Sequence, residues 1–289
     1  MRKYMRIAQM ALCLFIMAAS YFSAVSCANR LKACERAAMI LMESSPLTLE
    51  KVRQIQEQET GQDIPESFTA WEQKNEISVE NKDLQRSRTV SLIVICGRSD
   101  LLLRGTAWLD DTDRNGCLID EKTAYELFGS TNISGQIVHI GEKAKVVRGI
   151  LYDASDTILY EADDSSEIFT NLTVYMDKGM TYEDIRQDFM SRHGLTGKFV
   201  RQDILAWIAN MACMKFELSA DLTPTKWSDF DFWSEALERE KESFLLLMLT
   251  EKQKPVEIYM KDFYSAVGYG VLSFMTAIII MRKIMRNIR

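Results

Sequence analysis

The sequence has little of the material from which most catalytic and metal-binding sites are built. It contains two histidines, His139 and His193, and neither a Cys-x-x-Cys nor a His-Glu-x-x-His pattern. A Gly-x-x-x-x-Gly-Lys-Ser/Thr loop for phosphates is missing, and no nucleophile, base and orienting residue stand at a recognisable spacing. His139 alternates within a strand-like segment, which favours a surface or edge position over a ligand. We therefore predict no catalytic, cofactor-binding or metal-ligating residue, and a chain that is not an enzyme.

Positive charge and linker-like composition are scarce as well. The 35 Lys and Arg residues face 41 Asp and Glu residues, and the net charge of −6 argues against nucleic acid as a partner. The 13 glycines and four prolines form no low-complexity linker, and we find no internal repeat. Hydrophobic residues make up 47% and mean hydropathy is −0.12, which is typical of a folded chain with at most one or two membrane spans.

Two long uncharged runs lie near the ends of the chain, at residues 7–26 and 263–281. About 20 helical residues at 1.5 Å each span about 30 Å, the thickness of the hydrocarbon layer of a bilayer. Basic tails flank the runs on their terminal sides, at residues 1–6 and 282–289. The positive-inside rule then predicts cytoplasmic termini and an extracytoplasmic segment between two spans of the plasma or inner membrane. The two tails hold seven positive charges. Because the whole chain has a net charge of −6, the part between the tails has a net charge of −13.

A cleaved signal peptide is the alternative interpretation of the first run. Small residues precede Cys27, and Ala24-Val25-Ser26-Cys27 loosely resembles a lipoprotein box. The length of the run favours an uncleaved anchor, as does a helical pattern that continues to Met42 with no breaker before Pro46. We therefore predict a membrane helix that continues into a helical stalk.

Between the two runs the pattern is strand-like first and helical later, which predicts an α+β fold. Thr48 caps a predicted helix at 49–59, Asp120 caps one at 121–128 that Gly129 ends, and Thr181 caps one that ends near His193. Two more helices are predicted, at 201–220 and from about 229. The predicted strands are 67–71, 77–79, 89–96, 117–119, 137–140, 145–151 and 172–175. The predicted order is a cytoplasmic tail (1–6), a transmembrane helix (7–26), a helical stalk (27–66), a strand-rich core (67–180), a helical part with the return stalk (181–262), a second transmembrane helix (263–281) and a basic cytoplasmic tail (282–289).

One acidic segment, 111–116, matches the first half of a calcium-binding loop. The twelfth position of such a loop needs a bidentate Glu, and here it is Lys122, with Glu121 one place early. An ammonium group in that place opposes a cation. We therefore interpret the segment as an acid-rich turn between strands.

The six cysteines do not define a disulfide framework. Cys27 and Cys34 stand seven residues apart, about 10 Å along one helix, which is too far for a bridge between them. Cys96 and Cys117 lie in apolar strand contexts. We favour two free buried thiols over a disulfide between these two.

The segment from 68 to 151 carries a family resemblance. The residues that carry it are 69–72 (TAWE), 81–84 (NKDL), the strand 90–97 and above all 115–130 (NGCLIDEKTAYELFGS), followed by a turn with Gly135 and a strand at 146–151. In this order and spacing the segment resembles the periplasmic core domain of MacB/FtsX-type ABC-transporter permeases. Asp120, Leu127, Phe128 and Gly129 fit scaffold positions of that domain, in which a strand leads into a helix ending in Leu-Phe-Gly.

The resemblance implies a mechanical role. In such permeases a cytoplasmic ATPase closes, the membrane helices shift and the outer domain moves. We therefore expect a non-catalytic membrane subunit or partial permease of an ABC-type transport or mechanotransmission complex. The implied partners are an ABC ATPase subunit or a partner permease chain, membrane lipid, and an extracytoplasmic protein or peptide.

The chain departs from the family pattern in its number of spans. Family members have four spans, with three after the outer domain, whereas here eight residues follow the second run. A split or truncated permease half, or an accessory subunit, is the expectation. The alternative is a free-standing anchored binding or sensor module without an ATPase partner.

Overall fold

The computed structural model describes residues 2–34, 37–42, 44–62, 67–177, 180–201, 209 and 230–288. The chain divides into two compact units, which are described separately below. The sheet unit comprises Arg36–Val200 and Thr250–Ile258, and the helical unit comprises Met1–Glu35, Arg201–Leu249 and Tyr259–Arg289.

The sheet unit is built on a mixed nine-stranded sheet. Its strands follow the order β11-β1-β10-β3-β4-β8-β5-β7-β6, and β2 pairs with β9 separately. The strands are β1 (Ala37–Leu41), β2 (Leu47–Thr48), β3 (Phe68–Asn81), β4 (Arg86–Gly97), β5 (Gly116–Asp120), β6 (Ile137–Ile140), β7 (Lys143–Leu151), β8 (Thr157–Glu161), β9 (Ile168–Phe169), β10 (Asn171–Tyr175) and β11 (Lys198–Val200). In this sheet β4 pairs with β8, and β5 with β7, in parallel, whereas the other pairings are antiparallel. The predicted fold class, a mixed α/β domain flanked by two apolar helices, is confirmed.

The helices of the described residues fall into short helices within the sheet unit and longer ones in the helical unit. They are α1 (Arg2–Cys34), α2 (Leu49–Thr60), α3 (Glu121–Phe128), α4 (Tyr182–Ile185), α5 (Ser191–His193), α6 (Phe230–Leu249) and α7 (Lys254–Ile288), and a π-helical turn, Arg186–Met190, joins α4 to α5. Of these, α7 begins in the sheet unit and ends in the helical unit.

A bulge in β3 closes part of the sheet into a ring. The register with β4 shifts between Lys74 and Ile77, where Glu76 has a φ of 59°. Before the bulge β3 pairs with β10, and after it Val79 pairs with Ile140 of β6. Strands β3, β4, β8, β5, β7 and β6 therefore form a closed ring, and β10, β1 and β11 extend the sheet from the first half of β3. The bulge thereby gives one long strand two different neighbours on the same side.

The prediction of a helical stalk is wrong for residues 37–41. The helix α1 ends at Cys34, and Ala37–Leu41 form β1 between β10 and β11. Ala, Met and Leu are good helix formers, so the local pattern favours a helix. The tertiary pairing overrides that preference, because an apolar run that is buried on both faces satisfies its backbone between two neighbouring strands.

The predicted helix caps are confirmed. The Thr48 hydroxyl accepts a hydrogen bond from the Lys51 N–H, and Thr181 forms a capping box with Asp184. The Asp120 carboxylate accepts from Lys122 and Thr123 at the start of α3, and its second oxygen accepts from the Thr157 N–H of β8 at 2.7 Å. Asp120 therefore joins a helix start to a strand. The left-handed conformation that ends α3 falls on Gly129, with a φ of 75°.

Other elements differ from prediction or lie outside the described residues. The predicted strands 67–71 and 77–79 are one strand, β3, and β8 and β11 are strands that the pattern did not predict. The helix predicted from about 229 is confirmed as α6. The helix predicted at 201–220 lies, apart from Arg201 and residue 209, outside the described residues.

Candidate functional site

The start of α7 is held on the sheet by one glutamine side chain. The Gln73 amide of β3 accepts a hydrogen bond from the Lys254 N–H at 2.7 Å and donates to the Lys252 carbonyl at 3.0 Å. The same Nε2 also donates to Asn75 Oδ1 at 2.7 Å. One amide therefore binds both a donor and an acceptor of the turn that precedes the helix. We call this contact, together with the one described next, the clasp.

A second amide pair belongs to the clasp. Gln253 Nε2 donates to Asn171 Oδ1 of β10 at 3.0 Å, and Asn171 is 1% exposed. Val256, in the first turn of α7, is completely buried. The clasp thus attaches the helix start to two adjacent strands, β3 and β10, through directional hydrogen bonds.

The two long helices of the chain, α1 and α7, have the composition of membrane spans. Gln9–Leu31 and Lys254–Met285 are long and apolar enough to cross a bilayer, and 17% of the best window of each is buried. Large apolar side chains on both helices face outward, among them Phe15 at 71%, Phe22 at 71% and Phe274 at 54% exposure. A core helix of a water-soluble domain buries such side chains, so this exposure favours contact with lipid.

Within the helical unit, small and polar residues bring α1 and α7 together. The Ser273 hydroxyl donates to the Met17 carbonyl at 3.3 Å, and Ala266 and Gly270 are buried on the same side of α7. Small residues also recur on α1, where Ser20, Ala24 and Ala28 are buried. Small side chains allow close approach of helix backbones in lipid, where apolar burial gives no preference between a neighbouring helix and a lipid tail.

An ion pair joins the same two helices near one end of their contact. The Arg30 guanidinium donates to both carboxylate oxygens of Asp262, with Nη2–Oδ1 at 2.6 Å and Nε–Oδ2 at 3.0 Å. Nη2 also lies 3.2 Å from Cys27 Sγ. The bidentate geometry fixes the guanidinium against one carboxylate. It therefore sets the register of α1 against α7.

Leucine at position 270 is expected to disturb this helix pair. Gly270 is buried, so the added side chain forces the helices apart at a cost of about 1–3 kcal/mol. The measurement is unfolding of the helical unit in mixed micelles, followed by helical circular dichroism. Gly268→Leu is the matched control, because Gly268 has open space where a Cβ would stand. Equal unfolding of the two variants would contradict close packing at Gly270.

The residues that the sequence singled out as possible ligands are engaged in structural contacts. Asp113 of the acidic turn pairs with Arg148 at 2.7 Å, and Lys122 pairs with Asp156 at 3.2 Å. Among the residues that the structure describes, no group of three potential ligands is arranged to hold a metal ion. Cys96 and Cys117 are buried free thiols, as favoured from the sequence.

The two histidines occupy different environments. His139 is half-buried in β6, at the strand position predicted. His193 is buried, with Nε2 2.6 Å from Glu59 Oε1 and Nδ1 3.1 Å from Gln58 Oε1. It joins α5 to the end of α2.

Sequence reasoning did not find the clasp residues. Gln73, Asn171 and Gln253 are amides whose spacing has no meaning until β3, β10 and the start of α7 meet in space. One signal was available: the run Lys252–Pro255 places a proline in the first turn of a helix, where it is tolerated.

No family model matches the chain, and no curated protein matches it. Among solved structures, the chain is similar to the periplasmic region of MacB from Actinobacillus actinomycetemcomitans, at 16% identity over 60% of this chain and 92% of that one, with a TM-score of 0.45. It is also similar to the extracellular domain of the ABC-type transporter YknZ from Gram-positive bacteria, at 16% identity over 56% of this chain and 96% of that one, with a TM-score of 0.39. Both structures are extracytoplasmic regions of ABC-type transporters, which is the kind of domain that the sequence resembles.

Proposed function

We propose that the protein is a non-catalytic membrane subunit of an ABC-type transport or mechanotransmission complex. In this proposal α1 and α7 cross the membrane, both termini are cytoplasmic and the sheet unit lies outside. An ATPase subunit or a permease chain is the partner within the membrane complex, and an extracytoplasmic protein or peptide is the partner outside.

The observation that carries the proposal is the course of α7. Its first turn is bound to β3 and β10 through Gln73 and Asn171, and the same unbroken helix contains the second candidate span. A continuous helix passes on a displacement of its membrane part, whereas a flexible linker absorbs it. The clasp is then the point at which such a displacement reaches the sheet.

A flexible insertion tests this transmission. Insertion of the four residues Gly-Ser-Gly-Ser after Lys254 is expected to abolish any ATP-dependent change in the sheet unit, while folding and partner binding persist. The measurement is amide hydrogen exchange of β3 and β10 with and without ATP, in the complex purified from native membranes in mild detergent. The same insertion between Gly141 and Glu142, in the turn that joins β6 to β7, is the control that should leave the change intact.

Two outcomes would count against the proposal. An ATP-dependent change that survives the insertion after Lys254 would defeat the mechanical role. A chain that purifies without any nucleotide-binding subunit would instead favour the second candidate, a free-standing anchored binding or sensor module. The acidic cleft described below favours that candidate only if it binds a ligand in the absence of partners.

The proposed orientation is tested with reporters fused after Arg289. The basic residues that follow the second span are expected to stay in the cytoplasm, because the membrane potential and the insertion machinery retain them there. We therefore expect an active β-galactosidase fusion and an inactive alkaline phosphatase fusion at this position. An active phosphatase fusion would reverse the orientation and exclude an extracytoplasmic sheet unit.

A further inference from the structure

A cleft of about 460 Å³ opens in the sheet unit between the end of α2 and the segment that follows β4. Gln56 and Glu59 line it on the α2 side, and Gly97, Trp108, Asp110 and Asp111 line it on the other. Trp108 is 61% exposed, so its indole is available to a ligand. A concave site with an aromatic surface and several convergent polar groups has the usual composition of a ligand site.

Arg98, which also lines the cleft, and Arg192 already have carboxylate partners. Arg98 forms an ion pair with Asp100 at 2.6 Å, and Arg192 forms one with Glu59 at 2.7 Å. Among the described residues, no Lys or Arg makes an ion pair with either Asp110 or Asp111. The Asp110 carboxylate accepts a hydrogen bond from the Thr112 N–H and interacts with the Asp111 carboxyl. This pair of acids therefore lacks a positive partner.

A third carboxyl group, that of Glu161 at the end of β8, interacts with two of the residues that line the cleft. Glu161 is 1% exposed, and its Oε2 has no hydrogen-bond partner among the described residues. The groups that act on this carboxyl include the Gly97 N–H and Asp111, both of which line the cleft. A buried carboxyl with an unused oxygen is costly unless something binds it.

Protonation accounts for how the free protein tolerates the buried Glu161 carboxyl. Burial, helped by the Asp111 charge, raises the pKa of Glu161 to about 9, although Gly97, Cys96 and Arg53 act in the opposite direction. The hydrogen bond with Asp110 and burial raise the pKa of Asp111, and the pKa of Asp110 is lowered. An added positive charge would favour the ionised forms of Glu161 and Asp111.

We propose that the cleft binds an organic cation, an ammonium or guanidinium group, between the Asp110–Asp111 pair and the indole of Trp108. The Glu161 carboxyl then balances the positive charge of the ligand. A cation over an indole face gains attraction from the ring quadrupole, and the carboxylates supply charge-assisted hydrogen bonds. The group comes either from a free polyamine or from a Lys or Arg side chain of a peptide. This inference goes beyond the proposed function and does not depend on an ATPase partner.

Calorimetric titration of the full chain in detergent tests the inference and separates the two sources. The probes are spermidine and the blocked peptides Ala-Lys-Ala, Ala-Arg-Ala and Ala-Gln-Ala, at pH 7.5 in two buffers of different ionisation enthalpy. We expect binding of at least one cationic probe, no binding of Ala-Gln-Ala, and release of close to one proton per ligand. Spermidine binding alone assigns a free polyamine, and peptide binding alone assigns a side chain.

Three variants and a control identify the site. Asp111→Asn, Glu161→Gln and Trp108→Ala are each expected to weaken binding about tenfold, since each removes one charged or π contact. Glu161→Gln should also abolish the proton release. Glu142→Gln removes an exposed acid from the turn between β6 and β7 and should change neither quantity. Circular dichroism of each variant confirms that it is folded.

Defined results would overturn the inference. Absence of binding for every cationic probe at millimolar concentration would exclude the site. Equal weakening by Glu142→Gln and Asp111→Asn would assign binding to the general negative charge of the outer segment. Binding without proton release in the native chain would exclude Glu161 as the carboxyl that balances the charge of the ligand.

Discussion

Replacement of Lys145 by alanine is expected to lower the free energy of unfolding of the sheet unit by about 3 kcal/mol, because it removes a buried side chain together with its ion pair to Asp163. Lys145 is 2% exposed in β7, and its Nζ lies 2.9 Å from Asp163 Oδ2 and 4.8 Å from the centre of the Tyr160 ring. It also donates to the Arg114 carbonyl. The variant removes all of these contacts together with the packing of the aliphatic chain.

Lys143→Ala is the matched control for this prediction. Lys143 pairs with the other oxygen of Asp163, but 39% of its side chain is exposed. An exposed pair of this kind contributes at most about 1 kcal/mol. Urea unfolding of the full chain in mild detergent, followed by the β-sheet signal in circular dichroism, measures both variants. Similar losses for the two lysines would show that burial does not decide the contribution of Lys145.

Elements fixed by local sequence were predictable. Thr48 and Asp120 precede apolar helical patterns and accept hydrogen bonds from the first turn of their helices, and Gly129 takes the left-handed conformation after α3. Each signal depends on a few neighbouring residues. The apolar runs that became β4, β5 and β10 were predictable for the same reason, since alternation or β-branched content reports on burial locally.

Elements that depend on distant pairing were not predictable in the same way. Ala37–Leu41 has the composition of a helix, and its place between β10 and β11 decides that it is a strand. The switch of β3 from β10 to β6 depends on a bulge at Glu76, a residue type with no preference for positive φ. The sequence therefore predicted the fold class and not the closed ring.

The candidate sites follow the same division. The clasp joins Gln73, Asn171 and Gln253, which are far apart in the sequence and carry no motif. The cleft joins an acidic turn with Glu161, which stands at the end of the unpredicted strand β8. A carboxylate at the end of the strand-like run Thr157–Glu161 was the available signal. Whether this carboxylate is buried or exposed depends on which face of β8 packs against the rest of the sheet unit, and the sequence alone does not reveal that.

Glu161 is expected to make the free energy of unfolding of the sheet unit strongly dependent on pH. An unfolded Glu carboxyl ionises near pH 4.5, whereas burial raises the pKa of the folded group to about 9. The folded state therefore holds a proton that the unfolded state loses, so the contribution to stability is full below pH 4.5 and is lost as pH rises to about 9. The groups that face this carboxyl are Asp111, Cys96, Arg53 and the Gly97 N–H. Glutamine keeps the shape of the side chain and cannot ionise.

Glu161→Gln is therefore expected to flatten the pH dependence of unfolding and to make the sheet unit more stable than the native chain at pH 9. The difference is on the order of 6 kcal/mol, since the folded carboxyl keeps its proton over about 4.5 pH units more than the unfolded one and each unit corresponds to about 1.4 kcal/mol. Urea unfolding at pH 5, 7 and 9 measures it, with Glu142→Gln as the exposed control. If the free energy of unfolding fell equally with pH in the native chain and in Glu161→Gln, Glu161 would already be ionised in the folded state. That result would also remove the protonated carboxyl from the proposed site, because the same proton is the one that a bound cation is expected to release.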